Sequence, residues 1–478
     1  MPVEVEVSVS PGLPGFYIVG LADVAVQESK ERVRAALRAV GFSMPGDRVV
    51  VNLAPSFLKK RGTGFDLAIA LAVLVASGQV PAQFVEGRMF VGELSLEGSV
   101  RPIDGILACA VKSAEIGIEF VCADAPERLV EVEGARFRYM RSLSAARSGD
   151  IGFLTCCPSE RFGALSDYAD VSGNSFAKRA LQIAAAGSHG LLMIGPPGSG
   201  KTMLASRLPS ILPELDKRSA LESALIHSVA GNDISSILSG ARPFRAPHHS
   251  ASAAGLVGGG SPLRPGEISL AHNGVLFLDE LAEFRSSVLQ ALRQPLEEGR
   301  ITITRADGNT TFPARFMLVA ASNPCPCGYL GDLERTCTCT PSQIASYQAR
   351  VGGPLLDRFD MQIDVRRVPP HEIMSLDRTE SSSCLKEGVS KARRFAAWRK
   401  GRYPCDRSTR GVVESCRMRD DDAEFFASAA RTHAMSGRGM ARALSVARTI
   451  ADMAERESVN RSDLCEALGF RLRRAGKI

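Results

Sequence analysis

The stretch "GLLMIGPPGSGKTMLASRLP", residues 190–209, decides the fold. Leu191 to Ile194 form an apolar run that reads as a strand buried on both faces, and the run after Thr202 reads as a helix. Between them lie Gly195, Pro196, Pro197, Gly198, Ser199, Gly200, Lys201 and Thr202, leading into Met203. Glycines in such a loop let successive backbone N–H groups curl round phosphate oxygens at a helix N-terminus. Lys201 is then placed to reach the β- and γ-phosphates, and the Thr202 hydroxyl to ligate Mg²⁺. Strand, loop and helix in this order make the stretch an ATP site, where a chance glycine-rich turn would lack the flanking elements.

Three more apolar strands come later in the chain: "GVLFLD" (274–279), "ARFMLVAAS" (314–322) and "DMQIDV" (360–365). Strands this continuously apolar belong to a parallel sheet covered on both faces. The first ends in Asp279, placed to hold Mg²⁺, and Glu280, placed to polarise the attacking water. The second ends at Asn323, a polar tip that can touch the γ-phosphate or the lytic water. A turn residue before Pro324 is the bland alternative for Asn323.

The chain as a whole is expected to be a multidomain α/β protein. Residues 1–145 mix strands ("VEVEVSVS", "DRVVVNLA") with helices, without clean alternation, and read as an α+β domain. Asp23 is expected to cap a helix whose Val33, Leu37 and Val40 share a face and which Gly41 stops. Residues 146–172 read as a linker, 173–368 as the ATPase core, and 385–478 as a helical lid after a second weak linker (369–383).

Composition excludes other classes. Of the 478 residues, 45% are hydrophobic and 23% charged, as in ordinary globular proteins. The start, "MPVEVEVSVSPGLPGF", has neither a basic nor an apolar signal region, and no apolar run is long enough to span a bilayer. The twelve cysteines therefore read as reduced thiols in a cytoplasmic protein. The net charge of +6 is compatible with nucleic acid without arguing strongly for it. "KARRFAAWRKGRYPCDRSTR" (391–410) is more pointed, with eight Lys/Arg against one Asp and with Phe395, Trp398 and Tyr403 interleaved. Cations there would neutralise phosphates and aromatics could stack on bases; a solvated helix face is the alternative. The tail "RLRRAGKI" adds four more positive charges.

These parts in this order resemble the AAA+ ATPases, and within them the magnesium-chelatase-like ComM/YifB family. The resemblance is carried by "FRAPHHSASAAGLVGGG" (244–260), "PGEISLAHNGVLFLDELAEF" (265–284), "NPCPCGYLGD" (323–332), "GPLLDRFDMQIDV" (353–365) and "SGRGMARALSVARTIADMA" (436–454). It implies that Arg358 is an arginine finger acting on ATP held by a neighbouring subunit, a salt bridge to an adjacent Asp being the alternative. It implies that Arg438 is a lid arginine reaching the γ-phosphate. The family is understood as hexameric, ATP-driven helicases that extend heteroduplex during DNA uptake and recombination. Chelatase kinship leaves open a remodelling ATPase that acts on protein, with the first domain as adaptor for a protein partner. No membrane role is implied.

The first domain resembles the Lon-type protease fold. The position of the protease lysine falls on Leu107, and the nucleophile region "KKRGTGFDLAIA" (59–70) holds no serine. The dyad is therefore absent, and an ATP-dependent protease is the least favoured function. Family members begin further upstream, so the N-terminus is expected to be truncated or its start codon misassigned, and the pairing of the first strand is left open. The long segment between Lys201 and Asp279 includes His248 and His249, expected to structure a loop or make contacts rather than bind metal.

One motif stands apart. "NPCPCGYLGDLERTCTC" (323–339) holds Cys325, Cys327, Cys337 and Cys339 as two C-x-C pairs. Four soft thiolates suit tetrahedral Zn²⁺, with free or redox-active thiols as the alternative.

Overall fold

In this computed structural model the described residues are 1–156, 166–260, 263–305, 308–332, 334–374, 380–406 and 408–471. The basic tail from 472 onward, Arg407, and parts of both expected linkers lie outside them. Two compact units emerge: Met1–Arg161 with residues 220–239 and 304–309, and Phe162–Ser219 with Gly240–Ile303 and Thr310–Ile478.

In the first unit β1 (Glu4–Ser10) pairs antiparallel with β3 (Arg48–Ala54), and β2 (Gly15–Val19) pairs parallel with β3. Helix α1 (Val24–Ala39) lies between β2 and β3 in the chain. The Asp23 carboxylate accepts from the Val26 N–H at 2.9 Å, and the chain leaves the helix at Gly41 with φ 78°. Val26, Val33 and Leu37 are buried and Val40 is half-buried, so the helix presents the apolar stripe its periodicity predicts. Helix α2 (Asp66–Ala76) is almost wholly apolar and sits in the core of this unit. Its one charge, Asp66, is buried and takes the Arg32 guanidinium at 2.6 Å and the Ser29 hydroxyl. Leu107, on α3 (Ile106–Glu115), is fully buried, and Lys60 is buried with its ammonium on the Pro55 carbonyl. A second sheet orders β4 (Arg88–Phe90), β5 (Glu119–Cys122), β6 (Phe137–Tyr139) and β7 (Gly152–Phe153). The strand at Gly152–Phe153 carries this unit past residue 145.

The second unit is built on five parallel strands: β8 (Leu191–Ile194), β9 (Phe244–Arg245), β10 (Val275–Leu278), β11 (Met317–Ser322) and β12 (Met361–Asp364). Their order across the sheet is β9-β10-β11-β8-β12, so the chain leaves β8 for the far edge and returns beside it. β8, β10 and β11 are buried along their whole length, which explains their unbroken apolar sequence. Short β9 carries no such pattern, and the sequence did not announce it. In an open parallel sheet the carboxyl ends of the strands, at the point where the order reverses, form the ligand crevice.

Helices α4 (Ser175–Gly187), α7 (Ser382–Arg402), α8 (Gly437–Met453) and α9 (Arg461–Gly469) share one apolar core with the sheet; α5 (Lys201–Ser206) starts at the crevice, and α6 (Pro341–Ala349) is tied to the end of β11 by Gln348, which donates to the Pro324 carbonyl at 3.1 Å. Polar ties fix the helical region: His189 Nε2 to Thr449 Oγ1 at 2.8 Å and Arg442 to Asp360 at 3.2 Å. Deeper in, Asp452 accepts two bonds from Arg399, each 2.8 Å, and meets Arg448 at 3.1 Å, all three nearly fully buried.

Removing one partner of a buried ion pair strands the other's charge, at a cost of about 3–5 kcal/mol. Asp452→Ala, which strands two guanidiniums, is expected to lower unfolding free energy by about that much, read from the urea midpoint.

Candidate nucleotide site

Parallel pairing sets Ile194 of β8 beside Ser322 of β11 and Asp364 of β12. The loop leaving β8 therefore starts level with Asn323, and Asp279 comes directly after the neighbouring β10. Around this edge lies a cleft of about 370 Å³ lined by Pro197 to Met203, Asp279, Glu280 and Asn323. Gly198 (φ 77°) and Gly200 (φ 86°) hold left-handed backbone that only glycine adopts without strain. Gly195 and Pro196 do not line the cleft; their carbonyls accept the Lys201 ammonium at 2.7 and 2.9 Å.

Lys201 also donates to Asn323 Oδ1 at 3.3 Å. Burial lowers its pKa to about 8, opposed by Asp279 and Glu280. The Thr202 hydroxyl donates to Asp279 Oδ2 at 2.6 Å, and Asp279 Oδ1 accepts the Glu280 N–H at 2.9 Å. A hydroxyl and a carboxylate this close offer the hard oxygen pair that Mg²⁺ takes together with nucleotide phosphates. The donor set fits the ion. Glu280 has φ 51°, unusual for a side-chain-bearing residue and a form of strain found at functional sites.

Two contacts were missed in the sequence. His249 Nδ1 lies 3.1 Å from Glu280 Oε2, with the His248 ring 4.0 Å from its own, while His248 Nδ1 meets Ser250 Oγ at 2.8 Å. His249, expected to structure a loop or make contacts, makes its contact with the Glu280 carboxylate. The ladder that pairs Arg245 with Leu276 starts the two segments level, and His249 and Glu280 lie in the loops that follow it. The second contact is Arg367, whose Nη2 donates to the Pro197 carbonyl at 3.1 Å. Equal counting from Ile194 and Asp364 reaches Pro197 and Arg367. The missing signal was the strand order, which a single sequence does not state.

Arg358 and Arg438 do not line the cleft. Arg358 pairs with Glu297 on the short helix Arg293–Glu298, not with a sequence-adjacent Asp. Arg438 is exposed in the first turn of α8.

The four cysteines converge. Their sulfurs lie within 4.8 Å of one another, with Cys325–Cys327 at 3.4, Cys327–Cys337 at 3.5 and Cys325–Cys337 at 3.7 Å. The edge of a ZnS₄ tetrahedron with bonds of about 2.3 Å is about 3.8 Å, so the set fits that ion. Burial raises the Cys325 thiol; at Cys327 burial is outweighed by N–H donors from Tyr329 and Thr338, which lower it.

Helix α7 uses much of its charge internally. Arg399 belongs to Asp452, Arg393 caps Ala185 and Ser188, and Lys391 pairs with Glu455 at 3.0 Å. Arg394, Lys400 and Arg402 are exposed; Arg402 lies 5.8 Å from the centroid of the Trp398 ring, which is itself 5.2 Å from that of Phe395.

Three family models match this architecture: "Magnesium chelatase, subunit ChlI" over 167–373, "Subunit ChlI of Mg-chelatase" over 5–125, and the "subunit ChlI C-terminal" model over 379–471. Competence protein ComM of Haemophilus influenzae is 42% identical over 482 residues, 98% of this chain and 94% of that protein. The chain belongs to the ComM/YifB, magnesium-chelatase-like family of AAA+ proteins. The uncharacterized protein YifB of Escherichia coli is 41% identical over the same shares. The magnesium-chelatase 67 kDa subunit of Chlorobaculum tepidum is 27% identical over 161 residues, a third of this chain. ATP and Mg²⁺ go with this family, and the cleft is built for them.

Two outcomes are expected at the cleft. Triphosphate binding favours a charged Lys201, so affinity for a labelled ATP analogue should be flat below pH 7 and weaken above pH about 8 as the free ammonium is lost. Fluorescence titration across that range reads it, and Lys201→Arg should remove the dependence. Separately, His249→Ala frees an oxygen of Glu280 for water and is expected to raise basal kcat about threefold with KM for ATP unchanged; a matching loss in kcat would show that His249 orients the base instead.

Proposed function

We propose that this chain is an ATP-hydrolysing motor that assembles as a hexameric ring in the cytoplasm and acts on DNA, as a branch-migrating helicase in DNA uptake and recombination. The observation that carries the ATPase reading is the cleft itself, where Lys201, Thr202, Asp279, Glu280 and Asn323 meet on one sheet edge. On binding, Lys201 exchanges loop carbonyls for the β- and γ-phosphates. Thr202 and Asp279 hold Mg²⁺, which neutralises charge on the phosphates. Glu280 takes a proton from the attacking water, oriented by Asn323. Arg358 leaves Glu297 for the triphosphate of the adjoining subunit, and Arg438 closes over the γ-phosphate from the lid.

Supporting the DNA arm are the Haemophilus relative, named as a competence protein, and the exposed cations of α7, with Arg402 over the Trp398 ring. In this reading residues 1–145 are a Lon-protease-like domain without its dyad, which recruits a protein partner; 173–368 are the core and 385–478 the lid. The four cysteines hold one Zn²⁺. Among the described residues no helix is long and apolar enough to cross a membrane. A second reading, a chelatase-like remodelling ATPase that acts on protein, is favoured by exposed Tyr17, Val19, Leu21, Val24 and Phe57 on the first unit.

ATPase rate measured with and without single-stranded and forked DNA separates the two. Stimulation that disappears at high salt is expected, because phosphate contacts release counterions. No stimulation and no salt-dependent binding would leave the ATPase and sink the DNA motor. Glu280→Gln should bind ATP without turning it over; Arg358→Ala should regain activity when mixed with Lys201→Ala subunits.

A further inference from the structure

We infer that the four-cysteine loop is a metal-controlled buttress of the phosphate loop, so that Zn²⁺ occupancy sets the affinity for ATP. This rests on the reading of the cysteines as a Zn²⁺ site. Two C-x-C pairs bring four sulfurs to tetrahedral spacing, and backbone N–H groups already point at them. Cys327 N–H meets Cys339 Sγ at 3.3 Å and Cys339 N–H meets Cys337 Sγ at 3.4 Å. Such donors stabilise thiolate charge, which a divalent cation would neutralise.

The same loop grips Pro197 from two sides. Gly328 N–H donates to the Cys325 carbonyl at 3.0 Å, within the first C-x-C turn. Gly328 has φ 84° and lies so close to Pro197 that a Cβ there would sit 2.5 Å from the proline Cδ. On the other side Arg367 Nη2 holds the Pro197 carbonyl at 3.1 Å. That guanidinium is itself held by the cysteine loop, 3.5 Å from Asp332, 3.6 Å from Glu334 and over the Tyr329 ring at 5.4 Å.

Peptide geometry turns this grip into a nucleotide effect. Among the described residues the one cis peptide is Ala54–Pro55, so the peptide joining Pro197 to Gly198 is trans. In a planar trans peptide C=O and N–H point in opposite directions. Arg367, by holding the Pro197 carbonyl, fixes the plane of this peptide and with it the direction of the Gly198 N–H, at the cleft that both residues line. Without the metal, the chain from Cys325 to Cys339 loses its cross-link and Asp332, Glu334 and Tyr329 no longer hold Arg367 in place. The phosphate loop then has to be ordered at the expense of binding.

The test uses the full-length protein. Zinc released by a mercurial and read with a chromogenic chelator should come to one ion per chain. A fluorescent, non-hydrolysable ATP analogue should bind about tenfold more weakly after zinc is stripped, and regain affinity when Zn²⁺ returns. Arg367→Ala should keep its zinc and lose affinity to the same extent, so the coupling is decided even if stripping unfolds the chain. No zinc, with four titratable thiols in the loop, would overturn the metal reading. One zinc with affinity unchanged in Arg367→Ala would overturn the buttress and leave the metal site standing. Failure of the untreated protein to bind the analogue, with zinc present, would instead overturn the ATPase reading.

Discussion

The parallel ladder that sets Ile194 between Ser322 and Asp364 is the constraint on which the cleft depends. Three segments far apart in sequence are brought to one height by backbone hydrogen bonds alone. The residues just beyond each strand end start level with one another: the Gly195 N–H meets the Ser322 carbonyl at 3.2 Å, and Arg367 meets the Pro197 carbonyl at 3.1 Å. The β9–β10 pair repeats the arrangement and delivers His249 to Glu280. A slip of one residue in either ladder would turn every side chain to the opposite face and separate these groups. Burial of β8, β10 and β11 on both sides is what makes such a slip expensive.

The reactive groups of the cleft each have an internal partner before nucleotide arrives. Lys201 rests on two carbonyls, Thr202 on Asp279, and Glu280 on His249. Binding is therefore an exchange of partners, and its net gain is the difference between two sets of charge-assisted bonds rather than the sum of the new ones. The lowered pKa of Lys201 fits this picture. Burial makes the ammonium costly, Asp279 and Glu280 compensate only in part, and a triphosphate would offer more charge at the same place.

The local motifs were legible because the physics behind them is local. A phosphate loop needs glycines, a buried strand needs apolar residues, and a helix start needs a cap such as Asp23. All of these are written within a few neighbouring positions. Contacts made by register were not legible: neither His249 nor Arg367 carries a sign of its destination until the strand order is known. Helix α7 shows the opposite difficulty. Its cations read as one basic face, yet Arg399 and Arg393 are drawn inward by Asp452 and the end of α4. Charge counted along a sequence overstates charge available at a surface wherever long side chains can fold back onto carbonyls and carboxylates. The cysteines lie between, since two C-x-C pairs suggest a cluster but only the fold brings the pairs together.

Arg358 shows how the same reasoning bears on assembly. Its ion pair with Glu297 joins a largely buried guanidinium to a carboxylate that is half exposed, so solvent screens the pair from the Glu297 side. A guanidinium facing a phosphate can form two parallel charge-assisted bonds, about twice as strong as neutral ones. In a ring, an adjoining triphosphate would therefore outcompete Glu297 for Arg358, while an ADP-bound neighbour, with less charge to offer, would return the arginine to it. If Arg358 acts as the proposed finger, Glu297 would be its resting partner, and exchange between the two acceptors would let the nucleotide state of one subunit be felt by the next.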